Sequence, residues 1–388
     1  MLRSLYAGIS GMKANQVKLD VIGNNIANVG TTAFKGSRVR FQDMVSQSMS
    51  QALAPGTNQG GVNPRQVGLG VQVAGIDTMV SQGMMQPTSR NLDIAMDGEG
   101  YLMVAKGLVP AGTGTAAIPG TADEEPTEAV PAEDAAGVAV GVTLKSDNTI
   151  DSTKDLSLFY TRDGALTLDN EGNLLNSDGL RVLGYAVSDG KNLSLDYDTN
   201  RKAMLTYADA DSKTLTTQGK LIPLVIPEKI FAPAVEEDLG ANPPILASEA
   251  ATLRIRTFSI EKDGVIKAVL ENGKVAILGQ IAVASFKNPA GLAKMGGNIY
   301  SNTSNSGAAV VRTGKGAITS DSTPEDPIYV KDNGMGYGDM LQGMLEMSNV
   351  DLAEQFTDMI IASRAFQAAG KTISTGDEIL QDIINLKR

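Results

Sequence analysis

The chain has 388 residues, among them 42 glycines, and contains no histidine, cysteine or tryptophan. This length favours two or three structural units, each able to bury a core. The missing residue types exclude imidazole general bases, His- or Cys-based nucleophilic triads and zinc sites built from Cys or His. The net charge of −11, from 33 basic and 44 acidic residues, argues against a nucleic-acid-binding surface.

The first predicted element is an N-terminal helix over residues 1–30, with Gly30 as its stop signal. Apolar side chains recur every seven residues along it, which is typical of a coiled-coil stripe. A single helix with one such stripe buries too little apolar surface to offset the entropy of ordering it, so we expect a partner helix. The stripe consists of Leu5, Met12, Leu19 and Ile26.

The C-terminal segment 349–388 repeats this pattern in a longer predicted helix, which should end near residue 386. Ser348, with Asp351 three residues later, fits a helix-start signal. A second line of positions, offset by three residues, carries mostly small side chains. The large stripe is Leu352, Met359, Phe366, Ile373 and Leu380, and the offset line is Gln355, Ala362, Ala369, Gly376 and Ile383.

Opposite charges favour pairing of the two chain ends. Residues 1–40 carry six basic side chains and one acidic one, whereas residues 345–388 carry seven acidic and four basic ones. Surface charge pairs contribute little individually, so the apolar stripes should dominate. We therefore predict that the terminal helices form an α-helical coiled-coil domain.

Between the helices, frequent turn signals and short β-rich runs predict a mainly antiparallel β domain, making the whole an α+β fold. Asp163-Gly164, Asp178-Gly179 and Asn272-Gly273 are examples of these turns. The predicted organisation is a connector of irregular and β structure at 31–75, a β domain at 76–107 and 157–320, an acidic insertion at 108–156, and a second connector at 321–348.

The segment 108–156 differs from its surroundings because it has nine acidic residues, two lysines and no aromatic residue. This composition cannot bury enough apolar surface to form a core, so the segment should be an exposed, irregular insertion on the β domain.

No stretch of the sequence predicts catalytic, cofactor-binding or metal-binding residues. Gly370-Lys371-Thr372 lacks the first glycine of a phosphate loop, and Asp169-Asn170-Glu171-Gly172 lacks the later glutamate of a calcium loop. The N-terminus lacks the apolar core of a secretory signal, and no run is long enough to span a membrane. We expect neither an enzyme nor a membrane-inserted protein.

Two terminal motifs carry a specific resemblance. The run Asn24-Asn25-Ile26-Ala27-Asn28 closely resembles the N-terminal signature of bacterial flagellar rod and hook proteins. The run Ser348-Asn349-Val350-Asp351-Leu352 is similar to the core of the same family's C-terminal helix. Two independent motifs at the correct chain ends make chance agreement very improbable.

The segments between the helices, such as Asn91–Tyr101 and Ala284–Leu292, are more similar to hook proteins than to distal rod proteins. The resemblance implies a structural subunit that polymerises into the curved, flexible tube of the flagellar hook and transmits motor torque to the filament. A distal rod protein of the basal body is the alternative. A secreted β-rich adhesin would explain the turns and the acidity but not the matched helices.

The resemblance also implies the partners and the location of the protein. These partners are other copies of the chain, the distal rod protein, the hook cap, the hook–filament junction protein and the flagellar type III export apparatus. The expected location is the extracellular flagellum, reached without a cleaved signal peptide.

Overall fold

The computed structural model describes residues 2–52, 54, 60–107, 142–145, 148–153, 156–189, 193–197, 202–210, 215–231, 252–312 and 338–386. The chain forms two compact units. Unit 1 comprises Met1–Gly83 with Met347–Arg388, and unit 2 comprises Met84–Glu346. The boundaries therefore differ from the predicted ones at 75 and 320, because the strands before residue 83 pair within unit 1.

In the described residues, unit 1 contains both long helices and two antiparallel ribbons of two strands each. Strand β1 pairs with β4, and strand β2 pairs with β3. Most side chains of the ribbons are exposed. Its elements are α1 (Leu2–Ala27), β1 (Ser37–Asp43), β2 (Ser46–Ser50), β3 (Arg65–Gly68), β4 (Val71–Thr78) and α2 (Leu352–Leu386).

Both helices are slightly shorter than predicted. Asp351 is the N-cap of α2, since its Oδ1 accepts hydrogen bonds from the backbone N–H groups of Ala353 (2.8 Å) and Glu354 (3.3 Å). The helix thus begins at Leu352 and not at 349. At the other end of the chain, α1 stops at Ala27, and Asn28 donates its side-chain N–H to the carbonyl of Asn24 (2.9 Å).

Unit 2 is built from short strands, and every ladder between its strands in the described residues is antiparallel. The strands are β5 (Met85–Pro87), β6 (Ile94–Asp97), β7 (Tyr101–Gly107), β8 (Val142–Leu144), β9 (Ile150–Ser152), β10 (Leu156–Thr161), β11 (Thr167–Leu168), β12 (Leu174–Leu175), β13 (Arg181–Ser188), β14 (Leu195–Tyr197), β15 (Ala203–Leu205), β16 (Thr216–Pro223), β17 (Lys229–Phe231), β18 (Thr252–Ile260), β19 (Val265–Leu270), β20 (Val275–Ile281), β21 (Val283–Ser285), β22 (Ala293–Gly296), β23 (Ile299–Ser301), β24 (Val310–Arg312), β25 (Asp339–Gln342) and β26 (Met344–Glu346).

A 16-stranded sheet runs through unit 2, with the main order β17-β18-β19-β20-β13-β7-β10-β23-β22 among the described residues. Strand β7 lies in its middle, and residues 101–105 of this strand are all buried. Leu102 and Val104 face one apolar core, whereas Tyr101 and Met103 face a second core. The central strands read as continuous apolar runs because both faces of the sheet are covered.

Several predicted turns have the backbone that glycine favours. Gly179 (φ 76°) and Gly273 (φ 79°) adopt the left-handed conformation. Each closes a tight turn between neighbouring strands. The alternation of strands and turns in the middle of the chain is therefore confirmed.

The structure corrects the ends of two predicted segments. Strands β8 and β9 lie inside the predicted 108–156 insertion, and Val142 is fully buried in the second core. Residues 108–141 of that insertion lie outside the described residues. Likewise, 338–346 of the predicted 321–348 connector forms β25 and β26, which pair with β6 and β5, while 321–337 lies outside the described residues.

A buried ion pair involves Glu346, the last residue of unit 2. Arg162 Nε donates to Glu346 Oε2 (2.8 Å), and the two side chains are 3% and 0% exposed. Arg162 also donates to the carbonyls of Met96 (3.0 Å) and Gly98 (2.7 Å). The guanidinium therefore joins β26, the last strand of the unit, to the turn after β6.

An aromatic cluster fills the second core. The ring of Phe286 meets those of Tyr101 and Tyr160 edge-on, with centroids 5.8 Å and 4.8 Å apart, and Tyr101 also meets Tyr300. Burial raises the pKa of both Tyr101 and Tyr160 to about 12.

The predicted chain order, with a helix at each end and a mainly antiparallel β region between them, is confirmed. Neither helix is long and apolar enough for a membrane span in the part of the chain described.

Candidate assembly site

The helices α1 and α2 lie antiparallel and in close contact. A Cβ atom added to Gly11 would lie 3.7 Å from the Cβ of Ala369, and one added to Gly376 would lie 2.8 Å from Leu5 Cδ2. Asn25 near the end of α1 bonds to Gln355 in the second turn of α2. In each of these pairs the two residue numbers add to 380 or 381, so the register is constant along the pair.

The contact is built from small residues more than from the predicted large stripe. On α2 the buried positions are Gln355, Ala362 and Gly376, all on the offset line. The predicted Leu352 and Phe366 are exposed, while Met359, Ile373 and Leu380 are half-buried. On α1 the predicted Leu5, Met12, Leu19 and Ile26 are all half-buried. Small side chains let the backbones approach, which leaves the large apolar side chains at the flanks of the contact.

Asn25 of the N-terminal signature is 1% exposed and makes three hydrogen bonds. Its Nδ2 donates to the Ser37 carbonyl (2.8 Å) and to Gln355 Oε1 (3.0 Å), and its Oδ1 accepts from the Ser37 N–H (3.0 Å). It therefore links α1, the start of β1 and α2. By contrast Asn24 and Ala27 are exposed, and Ile26 and Asn28 are half-buried.

Asn349 of the C-terminal signature has the same kind of role. Its Nδ2 donates to the carbonyls of Met79 (2.9 Å) and Ser81 (3.1 Å), and its Oδ1 accepts from the Gly36 N–H (2.8 Å). Of its neighbours, Ser348 accepts a hydrogen bond from the Val350 N–H (3.3 Å). The Asn349 side chain is thus held by three separate backbone groups, and the segment just before Leu352 is not helical.

Sequence reasoning missed Lys35, which is 1% exposed in unit 1. Its ammonium donates to the Ser81 carbonyl (2.9 Å), the same oxygen that accepts from Asn349. We call Asn25, Lys35, Ser81, Asn349 and Gln355 the polar junction. The only signal in the sequence was its position seven residues after the N-terminal signature, since a lysine is otherwise expected at the surface.

Large apolar side chains are exposed to solvent on both helices of the single chain. Phe356 and Ile360 on α2 are 50% and 63% exposed, and Ile361 and Ile384 are also exposed. Tyr6 is exposed on α1. One ion pair, between Lys18 and Asp358 (3.3 Å), lies beside the helix contact. Large exposed apolar side chains such as Phe356 and Ile360, one helical turn apart, are typical of a protein–protein contact.

The described residues contain no group of three or more acidic side chains placed to hold a metal ion. In the turn at Asp169, the carboxylate is already occupied by hydrogen bonds from Glu171 N (2.9 Å), Asn173 N (2.8 Å) and Asn173 Nδ2 (2.8 Å). Burial raises the pKa of Asp169, but these hydrogen bonds outweigh it and hold the pKa below its ordinary value.

Comparison with known proteins matches both chain ends to flagellar families. Residues 5–35 match the family described as flagella basal body rod protein, and residues 341–386 match the C-terminal family of flagellar basal body rod FlgEFG proteins. The first match covers α1 from Leu5 onward and Lys35, and the second includes α2 and Asn349.

Curated relatives extend over the full chain. The flagellar basal-body rod protein FlgG of Bacillus subtilis is 35% identical, and the flagellar hook protein FlgE of Borreliella burgdorferi is 32% identical, each over 100% of both chains. The flagellar hook protein FlgE of Treponema pallidum is 31% identical, again over 100% of both chains. The polar junction and the paired helices are thus part of a chain that belongs to the family of bacterial flagellar rod and hook proteins.

Proposed function

We propose that this chain is a structural subunit of the flagellar hook, which self-polymerises into a curved, flexible tube and transmits motor torque to the filament. The distal rod protein of the basal body is the second candidate. Full-length similarity to proteins named as hook and as rod proteins supports the axial role in either case. The sequence segments between the helices favour the hook.

The observation that carries the proposal is that large apolar side chains of the helix pair are exposed in the single chain. Phe356, Ile360 and Ile361 are exposed next to a contact made of small residues. Burying one such side chain contributes roughly 1.5 to 3 kcal/mol, so several buried at each contact between copies would hold a polymer together. Other copies of the same chain are the partners that cover this surface, and the helices form the inner layer of the tube as a coiled coil.

The function is then mechanical. Contacts between the helices of successive copies hold the tube together, while contacts between the β units of neighbouring copies slide as the tube bends. No bond is made or broken, and no cofactor takes part. The rod protein, the hook cap, the hook–filament junction protein and the type III export apparatus are the further partners at the ends of the tube and on the export route.

Electron microscopy of polymer purified from cells separates the two candidates. A hook subunit gives curved tubes of controlled length, and a deletion strain loses them together with motility. Short straight rods that remain attached to the basal body would instead identify the rod protein.

A variant tests the assembly surface directly. Ile360→Gln should leave the fold intact, because Ile360 is exposed in the single chain, but should abolish or strongly reduce polymer formation measured by sedimentation. Gln367→Asn, at another exposed position of α2, is the matched control. Normal polymerisation of the Ile360 variant would contradict the proposed surface.

A further inference from the structure

A buried polar pair interrupts the otherwise apolar contact between α1 and α2. Asn25 and Gln355 are 1% and 7% exposed, and Asn25 Nδ2 donates to Gln355 Oε1 over 3.0 Å. Buried polar groups are costly unless they are hydrogen-bonded, so separating these two amides would cost free energy. The remaining contact positions along the pair are apolar or small.

The repeating line of large residues on α1 and small residues on α2 does not by itself define a unique alignment. On α2 the contact line repeats every seven residues, from Gln355 through Ala362 and Ala369 to Gly376. On α1 the large residues Leu5 and Met12 repeat with the same period. Sliding one helix by seven residues, about 10 Å, would again place large side chains of α1 on small ones of α2.

We propose that the Asn25–Gln355 hydrogen bond determines the register of the two helices. A seven-residue slip in one direction would place Asn25 level with Ala362, and a slip in the other direction would place Lys18 level with Gln355. Either slip leaves the Nδ2 of Asn25 and the Oε1 of Gln355 without each other as partners. A buried polar residue sets the alignment of helices in coiled coils by the same physical means.

Three other features also act near this contact. Gly8 lies against the backbone of Ala369, and a slip would bring a residue with a side chain, such as Asn15, to that place. Lys18 and Asp358 form an ion pair at 3.3 Å, but both side chains are partly exposed and the pair is therefore weak. Asn349 holds the chain just before α2 through Gly36, Met79 and Ser81. If Asn349 alone set the register, removing the Gln355 acceptor would have no effect on it.

The absence of cysteine from the whole sequence makes disulfide trapping a direct measure of register. Gly11→Cys with Ala369→Cys reports the observed alignment, because the corresponding Cβ atoms would lie 3.7 Å apart, within disulfide range. Gly11→Cys with Ala362→Cys reports the slip that places Lys18 level with Gln355, and Gly11→Cys with Gly376→Cys reports the slip that places Asn25 level with Ala362. Full-length protein is oxidised, the monomer band is isolated on a denaturing gel, and the cross-linked peptides are quantified by mass spectrometry.

Gln355→Met removes the acceptor but keeps the length of the side chain, and Asn25 keeps its bonds to Ser37. We expect the ratio of the observed to the slipped cross-links to fall about tenfold in this variant. Gln355→Glu keeps an acceptor oxygen and should retain the parent ratio. A destabilising control, Ile22→Val, alters packing at a buried position of α1 and should also retain the ratio.

An unchanged ratio in Gln355→Met, or equal amounts of the observed and slipped cross-links in the parent, would overturn the proposal. A fall in Asn349→Ala without a fall in Gln355→Met would also overturn it and assign the register to Asn349. Thermal unfolding of each variant distinguishes a slip from loss of the helices, because a slipped pair retains its helical signal.

Discussion

Gly8 on α1 lies directly against Ile373 on α2. A Cβ atom added to Gly8 would lie 3.0 Å from Ile373 Cγ1, 2.8 Å from Thr372 Oγ1 and 3.3 Å from the carbonyl oxygen of Ala369. The last of these atoms belongs to the backbone and cannot rotate away. Close approach of the helices thus depends on a glycine at this position.

The first prediction concerns this close approach. Gly8→Ala gains helix propensity worth about 1 kcal/mol, but overpacking costs about 1 to 3 kcal/mol, so the free energy of unfolding of unit 1 should fall. Gly23→Ala is the matched control, since no described residue beyond its own turn of the helix has an atom within 4 Å of the added Cβ. The substitution should stabilise α1 by about 0.5 to 1 kcal/mol. Denaturant unfolding followed by circular dichroism measures both. Equal stabilisation by the two substitutions would contradict the close contact.

The second prediction concerns the polar junction. Asn349→Ala removes the oxygen that accepts from the Gly36 N–H and the amide group that donates to the carbonyls of Met79 and Ser81. The loss should destabilise unit 1 by about 1 to 3 kcal/mol. Asn24→Ala, in the N-terminal signature but exposed, should change stability by less than about 0.5 kcal/mol. Urea unfolding tests the pair, and similar losses in both variants would argue against a special role of Asn349.

The third prediction concerns the buried ion pair of unit 2. Glu346→Gln leaves Arg162 buried without its counter-charge, which should destabilise the unit by about 3 to 5 kcal/mol. The double variant Arg162→Met with Glu346→Leu should recover part of the loss. Glu261→Gln breaks the partly exposed Lys267–Glu261 pair and should cost less than about 1 kcal/mol. A double-mutant cycle gives the coupling, and a loss of similar size in Glu261→Gln would show that burial is unimportant.

The fourth prediction concerns alkaline pH. Burial raises the pKa of Tyr101 and Tyr160 to about 12, above their ordinary value of 10.0, because the folded state favours the neutral phenol. This stabilisation is complete below pH 10 and is lost as the pH rises from 10 to 12. The chain has nine tyrosines and no tryptophan, so tyrosinate absorbance gives a clear titration.

Tyr160→Phe is the control for this effect. The variant lacks one buried phenol and should lose less stability between pH 10 and 12 than the parent. Identical pH profiles for the two proteins would show that Tyr160 does not couple to folding.

Much of the fold was predictable because local patterns determine it. The heptad stripes gave both helices to within about three residues at their starts and ends, and glycine turns such as Gly179 and Gly273 marked the β unit. The ends of the acidic segment were not predictable, since Val142 lies in a run of small residues and is buried only because strands distant in sequence cover it.

The candidate site was predictable in its location but not in its geometry. The terminal motifs pointed to Asn25 and Asn349, but nothing in the sequence distinguishes Asn25 from the exposed Asn24 beside it. Lys35 and Ser81 meet only after the chain has folded back between them.

By itself, the sequence determined the class of structure and the family. It excluded His- and Cys-based chemistry, set the helical period at each end of the chain and carried both terminal signatures. Only the tertiary structure decided which face of each helix meets the other, because a heptad repeat specifies a spacing and not a partner. The contact of α1 therefore falls on Ala362 and Gly376 and leaves Phe366 exposed, a choice made by how closely the two backbones approach.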